Sequence, residues 1–149
     1  MTQNDVILEI DRVLRSLLRQ ARNASRYENY RDQLHCFEVV SAQVSIQMHR
    51  TELRIAPLAE QPPIRRKIRR IELELSENFG ASWMNSRPPF QKGVSLRALR
   101  TESRVLENRI KLTRERIRKI GKVNFCAGEV YQELEKRKKK IIFGDLSSF

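Results

Sequence analysis

The residue types that catalyse reactions or bind metals are few in this sequence, and their spacing does not bring them together. His35 and His49 fall 14 positions apart, and His35 and Cys36, as neighbours on a helix, would point in different directions. Cys36 and Cys126 fit neither a disulfide framework nor a zinc site. There is no glycine-rich phosphate loop or nucleophile elbow. We therefore expect no metal, no cofactor and no catalytic site, and a protein that is not an enzyme.

The cysteines and the N-terminal segment bear on the compartment. Two isolated cysteines are expected to be small, buried apolar residues in a reducing compartment. Acidic residues near the start of the chain make a poor signal or transit peptide. No segment approaches the ~20 apolar residues of a membrane span. A cytoplasmic location follows as an expectation.

The charged side chains are numerous and unevenly spread. The formal net charge is +12, and up to Gln61 basic and acidic residues number 8 each, so the entire excess follows that residue. Such asymmetry predicts contact with a polyanion: nucleic acid, an acidic filament such as a microtubule, or anionic lipid. The alternative is a solvated basic surface that only aids solubility.

Three basic segments supply candidate polyanion-binding residues. The first, RRKIRR, lies in the opening turns of a predicted helix, where cations oppose the helix dipole at a cost of a few tenths of a kcal/mol each. That order favours an external anion or a neighbouring acidic surface. The last, KRKKK, is typical of a nuclear import signal, a polyanion contact or a solvated helix C-terminus. The candidates are Arg65, Arg66, Lys67, Arg69, Arg70, Arg109, Lys111, Arg114, Arg116, Arg118, Lys119, Lys136, Arg137, Lys138, Lys139 and Lys140.

Few glycines and prolines interrupt the chain, so long helices are expected to position these residues. A first helix over residues 1–58, capped by Asn4 or Asp5, carries two apolar stripes. Joining the stripes requires local overwinding, or else a break near residues 23–27. A parallel arginine stripe is expected to flank a partner helix, with a basic ligand surface as the lesser alternative. Its members are Arg12, Arg15, Arg19, Arg22 and Arg26.

A short basic helix and an aromatic loop follow. Pro57 interrupts the first helix, and Pro62 and Pro63 can begin a second over residues 62–79. Gly80 is a plausible helix stop, and residues 80–94 are predicted to form a loop. Its large apolar side chains either pack back onto the helices or dock into a partner's groove. These are Trp83, Met84 and Phe90.

The last predicted helix covers residues 95–140, with Ser95 as its cap and residues 141–149 as a tail. A spacing of three and four residues is sustained along it, which indicates a coiled-coil seam for a partner helix. Gly121 and Gly128 weaken the seam near its end. The predicted seam residues are Leu96, Leu99, Leu106, Ile110, Ile117, Ile120, Tyr131 and Leu134.

Together these elements predict an all-α protein. We expect an elongated helical hairpin or coiled coil, in which the short basic helix and the aromatic loop lie between two long helices. Its seams would assemble it with itself or with a helical protein partner, and its basic half would contact an acidic polymer. No small-molecule substrate is implied.

HRTELRIAPLAEQPP (49–63), a basic helix and ESRVLENRIKL (102–112) together resemble the hemingway family of cilia- and flagella-associated proteins. Members carry a histidine, a basic Ile-Ala stretch and a Pro-Pro pair, then a helix with a Glu-Asn step. The resemblance implies a non-enzymatic role on axonemal microtubules of cilia or sperm flagella. It covers less than half of the chain, and the matching residues are His49, Ile55, Ala56, Pro62, Pro63, Glu107, Asn108 and Leu112.

A second resemblance suggests an alternative. VLRSLLRQARNASRYENYR (13–31) is similar to the Leu-Tyr-Arg family of small mitochondrial assembly factors, with Leu14 at the family's tyrosine position. That resemblance implies a compact three-helix adaptor that binds acyl carrier protein. A nuclear, nucleic-acid-associated coiled-coil protein is the other alternative, and KRKKK favours it.

Overall fold

A computed structural model describes residues 2–80, Trp83 and residues 93–147 of the chain. Within those residues there are four α-helices, one short 3-10 helix and no strand, so the predicted all-α class is confirmed. The 3-10 helix is Leu58–Glu60, and the α-helices are α1 (Gln3–Ile55), α2 (Gln61–Phe79), α3 (Leu96–Ile120) and α4 (Ala127–Ser147).

The helices contribute to two compact units. The described residues of Met1–Tyr30 and Ile117–Phe149 form unit 1, and Arg31–Arg116 form unit 2. The helix α1 runs through both units, because the division falls within it. Each unit therefore pairs one part of α1 with elements from later in the chain.

In unit 2, α1 packs against α3 through an apolar cluster. Val44 and Leu99 are fully buried, and Leu106 is nearly so. Leu99 and Leu106 lie seven positions apart, and the next residue at that spacing, Thr113, is also buried. A constant step of seven keeps one face of a helix on its partner. The Thr113 hydroxyl donates to the Arg109 carbonyl at 2.7 Å, which satisfies this one polar group in the apolar column.

Two ion pairs give the direction of this packing. Arg114 lies 3.1 Å from Glu38, and Arg100 lies 3.9 Å from Glu52. Since the later residue of α1 pairs with the earlier residue of α3, the two helices run antiparallel within unit 2. Both arginines are more than half exposed, so these pairs fix direction more than they add stability.

The helix α2 packs on a second face of α1 within unit 2. Ile46 of α1 and Ile68 and Leu75 of α2 are buried together. The two α2 residues again lie seven apart. Pro62 and Pro63 follow Gln61 in the first turn of α2, where the backbone N–H groups have no partner within the helix and a missing one costs little. The helix ends at Phe79, and Gly80 follows as the predicted helix stop, with a φ of +71° that suits a residue without a side chain.

Unit 1 is built from the first part of α1 and from α4. Leu14, Leu17, Ala24 and Ala127 supply its buried apolar side chains. An ion pair joins Lys138 of α4 to Asp11 of α1. Near the other end of the unit, Asn124 donates to the Gln20 side-chain oxygen at 2.9 Å, and the Phe125 and Tyr27 rings meet edge to face at 5.5 Å. These contacts also run antiparallel.

The start of α1 corrects the predicted helix cap. The hydroxyl of Thr2, rather than Asn4 or Asp5, accepts from the Asp5 N–H at 3.4 Å, while the Asp5 carboxylate accepts from the Thr2 N–H at 3.1 Å. This reciprocal pair is a capping box. The hydrogen bonds from Thr2 hold the pKa of Asp5 below its usual value, because they favour the charged carboxylate.

The predicted alternative of a break near residues 23–27 is wrong, because α1 is continuous there. Neither Gly nor Pro occurs in that stretch, and Ala24 is buried in unit 1. Both predicted apolar stripes therefore lie on one continuous helix. A helix can present different faces to different partners without bending.

The predicted single helix over residues 95–140, with a tail from 141, is also wrong. The helix α3 ends at Ile120, and Gly121 follows with φ of +73°, a left-handed conformation that glycine adopts at low cost. The side-chain oxygen of Asn124 then accepts from the Cys126 N–H at 3.1 Å, just before α4 begins. The helix α4 continues to Ser147, through most of the expected tail.

Cys36 and Cys126 are both free and exposed, which overturns the expectation that they are buried. Cys36 lies on the outward face of α1, and Cys126 lies in the connection before α4. Cysteine is apolar enough to be buried on average, but here the register of the helix decides, and the nearby Phe37 and Val40 pack on the apolar cluster instead.

The predicted cap of α3 is confirmed, since the Ser95 hydroxyl accepts from the Ala98 N–H at 3.2 Å. Replacing Ser95 with alanine leaves that N–H without its partner, so the free energy of unfolding should fall by about 1 kcal/mol. Urea denaturation followed by circular dichroism measures the change. Ser95→Asn keeps an acceptor and should stay within about 0.5 kcal/mol of the parent. Equal stability of all three proteins would contradict a capping role.

Candidate polyanion interface

The basic cluster of α2 (Arg65, Arg66, Lys67, Arg69 and Arg70) lies entirely on the surface. Ile64, Ile68 and Leu75 of α2 pack toward α1 together with Ile71 and Phe79. The basic residues and Leu73 face solvent. With 3.6 residues per turn, five cations within six positions must spread over most of the exposed half of the helix. The cluster is therefore broad rather than a single row.

No carboxylate lies within ion-pair distance of these five cations in the described part of the chain. Arg65 donates to the amide oxygen of Gln61 at 3.3 Å, and Arg66 donates to the carbonyl of Pro62 at 3.4 Å. The nearest acid along the helix, Glu72, is 3.3 Å from Arg50 of α1 instead. The basic cluster keeps its charge uncompensated.

The cluster also opposes the dipole of its own helix. The first turn of α2 contains no acidic residue, and its last turn contains no basic residue. Cations near the positive end of a helix are unfavourable by a few tenths of a kcal/mol each. An anion bound across the cluster would offset that cost, whereas a merely solvated surface would leave it in place.

Two of the predicted cations of α3 contact side chains of α1. Arg114 pairs with Glu38, and the Arg109 guanidinium lies 5.8 Å from the centre of the Phe37 ring. Cation–π and ion-pair contacts of this kind hold the two arginines toward α1. The others, Lys111, Arg116, Arg118 and Lys119, are exposed.

The basic run of α4 loses one member to the fold. Lys138 is partly buried in its ion pair with Asp11, while Lys136, Arg137, Lys139 and Lys140 are exposed. The run lies in the middle of α4 rather than near a helix C-terminus. The favourable interaction with a helix end that was expected for this run therefore does not apply.

The arginine stripe of α1 lies on the surface of unit 1. Arg12 pairs with Glu9 at 2.6 Å, which raises the pKa of Arg12 through the hydrogen bond and the carboxylate charge. The Arg15 side chain reaches the Asp11 carbonyl at 3.4 Å. Arg19, Arg22 and Arg26 line a shallow depression with Asn23 and Ser25. These three arginines are exposed and form a second cationic surface. Like charges three and four positions apart repel each other, so this surface is unfavourable without a bound anion.

Most of the predicted seam is covered by other parts of the same chain and is not left exposed for a partner helix. Leu99 and Leu106 are buried against α1, and every other predicted seam residue is partly buried. Of the predicted docking loop, Trp83 is also engaged. Its indole N–H donates to the Ser76 hydroxyl at 3.0 Å, and its ring packs with the apolar side chains of α1 and α2. Met84 and Phe90 lie outside the described residues.

Sequence reasoning missed several contacts that bear on the site. The pairing of Lys138 with Asp11 and that of Arg114 with Glu38 join residues far apart in the chain, and no local pattern signals them. The exposed apolar side chains of α3, Val105 and Leu112, were also missed. Their signal was a second spacing of seven, one position away from the stronger column.

Among the described side chains, no group of three or more His, Cys, Asp and Glu could hold a metal ion. Nor does any described helix combine the length and apolar character that crossing a membrane requires.

Comparison of the chain with known proteins gives no relative on which to base a function. No family model, curated protein or solved structure matches it. The functional argument therefore rests on the residues themselves.

Proposed function

We propose that this protein is a non-enzymatic helical interaction protein whose α2 helix binds an acidic polymer. The observation that carries the proposal is the basic cluster of α2, five exposed cations with no carboxylate partner in the described chain. A filament or polymer with repeated negative charge is complementary to such a broad cluster. Pairing of helical seams with a protein partner, or with a second copy, would place it in an assembly.

Axonemal microtubules of cilia or sperm flagella are the acidic polymer we propose first. The support is the likeness to the hemingway family, whose matching residues include Ile55, Ala56, Pro62 and Pro63. These four residues lie at the junction that leads from α1 into α2. The resemblance therefore touches the same part of the chain as the basic cluster.

A nuclear, nucleic-acid-associated role is the second candidate. The observation that favours it is the exposure of Lys136, Arg137, Lys139 and Lys140 on α4. An import receptor reads such a run as an accessible array of cations. The same run could also contact phosphates directly.

Co-sedimentation of the full chain with microtubules tests the proposal. We expect pelleting that persists near 0.15 M salt, where exposed charges more than about 8 Å apart are screened, and that resists competing duplex DNA and polyglutamate. Pelleting that DNA or polyglutamate abolishes would mean that the basic cluster reads charge alone. That outcome would exclude the microtubule proposal. Competition by DNA alone would favour the nuclear candidate, and competition by polyglutamate would favour the assembly-adaptor alternative.

A further inference from the structure

The helix α3 carries a second apolar column that faces solvent. The buried column of α3 lies against α1 and consists of Leu99, Leu106 and Thr113. One position before each of these come Ala98, Val105 and Leu112, also seven apart, and all three are exposed. Val105 is 40% exposed and Leu112 is 53% exposed. Single exposed apolar residues are ordinary, but three in heptad register align along one side of the helix.

The residues beside this column are mostly basic. In a heptad, the positions just before and four after the column lie along its two sides and set the choice of partner. On one side stand Arg97, Arg104 and Lys111, all exposed. No carboxylate lies within ion-pair distance of these three in the part of the chain that the structure describes.

The other side of the column holds one acid and two bases. Glu102 is partly buried, whereas Arg109 and Arg116 are exposed. Five of the six flanking residues are therefore cations. Of the five, Arg109 is held over the Phe37 ring of α1. The column and the other four cations (Ala98, Val105 and Leu112 with Arg97, Arg104, Lys111 and Arg116) are called the outer seam of α3 below.

The remaining positions of the outer seam are polar. Thr101, Asn108 and Glu115 alternate with the apolar column and are exposed. A polar residue inside a seam lowers its stability but fixes register. Apolar contact alone would be weak here, and charge complementarity must supply much of the affinity and the specificity.

We infer that the outer seam of α3 docks an amphipathic helix of another protein, one with apolar residues at its own seam and Asp or Glu along both sides. A second copy of this chain fits poorly, because it would bring cations against cations. A polyanion without apolar groups would leave the column in water. The inference rests on α3 and does not depend on the proposed role of α2.

The test uses the full chain and a designed peptide probe. The probe is a fluorescent peptide of three heptads with Leu at its seam positions and Glu at all flanking positions, which keep it from pairing with itself near neutral pH. Fluorescence anisotropy near 0.15 M salt measures its binding. We expect saturable binding that a peptide of the same composition in shuffled order does not reproduce.

Substitutions at Leu112 separate the seam from charge alone. Leu112→Ser should weaken binding about tenfold, because an exposed leucine that becomes buried on docking is lost. Leu112→Lys should also weaken it by at least that factor, although it adds a positive charge. Leu73→Ser on α2, at a side chain that is 57% exposed, is the matched control and should change nothing.

Three results would overturn the inference. If the Leu112→Lys variant bound the acidic peptide as tightly as the parent or more tightly, binding would depend on charge alone. Equal binding of the shuffled peptide would lead to the same conclusion. Sedimentation velocity that reveals a dimer of the chain, abolished by Leu112→Ser, would make a second copy the occupant instead of an acidic helix.

Discussion

Replacing Leu99 with alanine is expected to lower the free energy of unfolding by about 3 kcal/mol. Leu99 is fully buried between α1 and α3 and packs with Val44 and Leu106. Removing most of a buried leucine side chain loses its transfer free energy and leaves a cavity, which together cost about 2 to 5 kcal/mol. Chemical denaturation monitored by circular dichroism measures the loss. For a domain that is only marginally stable, it is a large fraction of the total.

A control on the same helix separates packing from helix propensity. Leu112→Ala makes the identical chemical change at a side chain that is 53% exposed. Alanine is at least as good a helix former as leucine, so this variant should stay within about 0.5 kcal/mol of the parent. Similar losses in the two variants would mean that Leu99 is not the buried member of the pair, and the packing of α3 on α1 would have to be revised.

Neutralising the basic cluster of α2 should have the largest effect on polymer binding. The variant replaces Arg65, Lys67, Arg69 and Arg70 with glutamine. Each exposed charge contact is worth about 0.6 kcal/mol, so four together predict a loss of affinity of about 50-fold. Microtubule co-sedimentation over a range of filament concentrations measures it. Glutamine forms helices about as well as Arg and Lys, so α2 itself should persist.

A second four-charge variant shows whether position matters. Replacing Arg15, Arg19, Arg22 and Arg26 of α1 with glutamine removes the same net charge from unit 1. If α2 is the binding helix, this control should lose no more than about threefold through the weaker long-range field. Equal losses in the two variants would argue against α2 as a defined site and for binding driven by net charge.

Periodicity was enough to predict the class of fold and several helix ends. Apolar residues three and four apart predicted that Leu99, Leu106, Ile68 and Leu75 lie on the inner faces of helices, because a helix in water must bury one stripe. Caps are equally local. Ser95 and Gly80 act at helix ends through hydrogen bonds and backbone angles within a few residues.

The break between α3 and α4 could not be read from the sequence alone. Gly121 ends a helix, whereas Gly128, seven residues later, lies inside one. The difference is that Asn124 bonds both to Gln20 and to the Cys126 N–H, which stabilises the turn. The first of those contacts comes from residues 104 positions apart, and no window of local sequence contains both partners.

The candidate site was only partly predictable for the same reason. Local charge order identified the basic cluster of α2, since all of its members and the helix dipole lie in one segment. The same reasoning also predicted that Lys138 binds a polyanion, but in the folded chain Lys138 pairs with Asp11. Whether a surface cation is open or engaged depends on what packs nearby, and that is a property of the tertiary structure.

The division of α1 between the two units sets the order in which the units can fold during synthesis. Unit 2 is encoded by one uninterrupted stretch of chain, whereas unit 1 joins the first 30 residues to those after Arg116. On a ribosome that adds about 5 to 20 residues per second, the first part of α1 waits on the order of 5 to 20 seconds for α4. During that wait Leu14 and Leu17 have no partner, so nascent unit 1 is the part of this protein that a chaperone would meet.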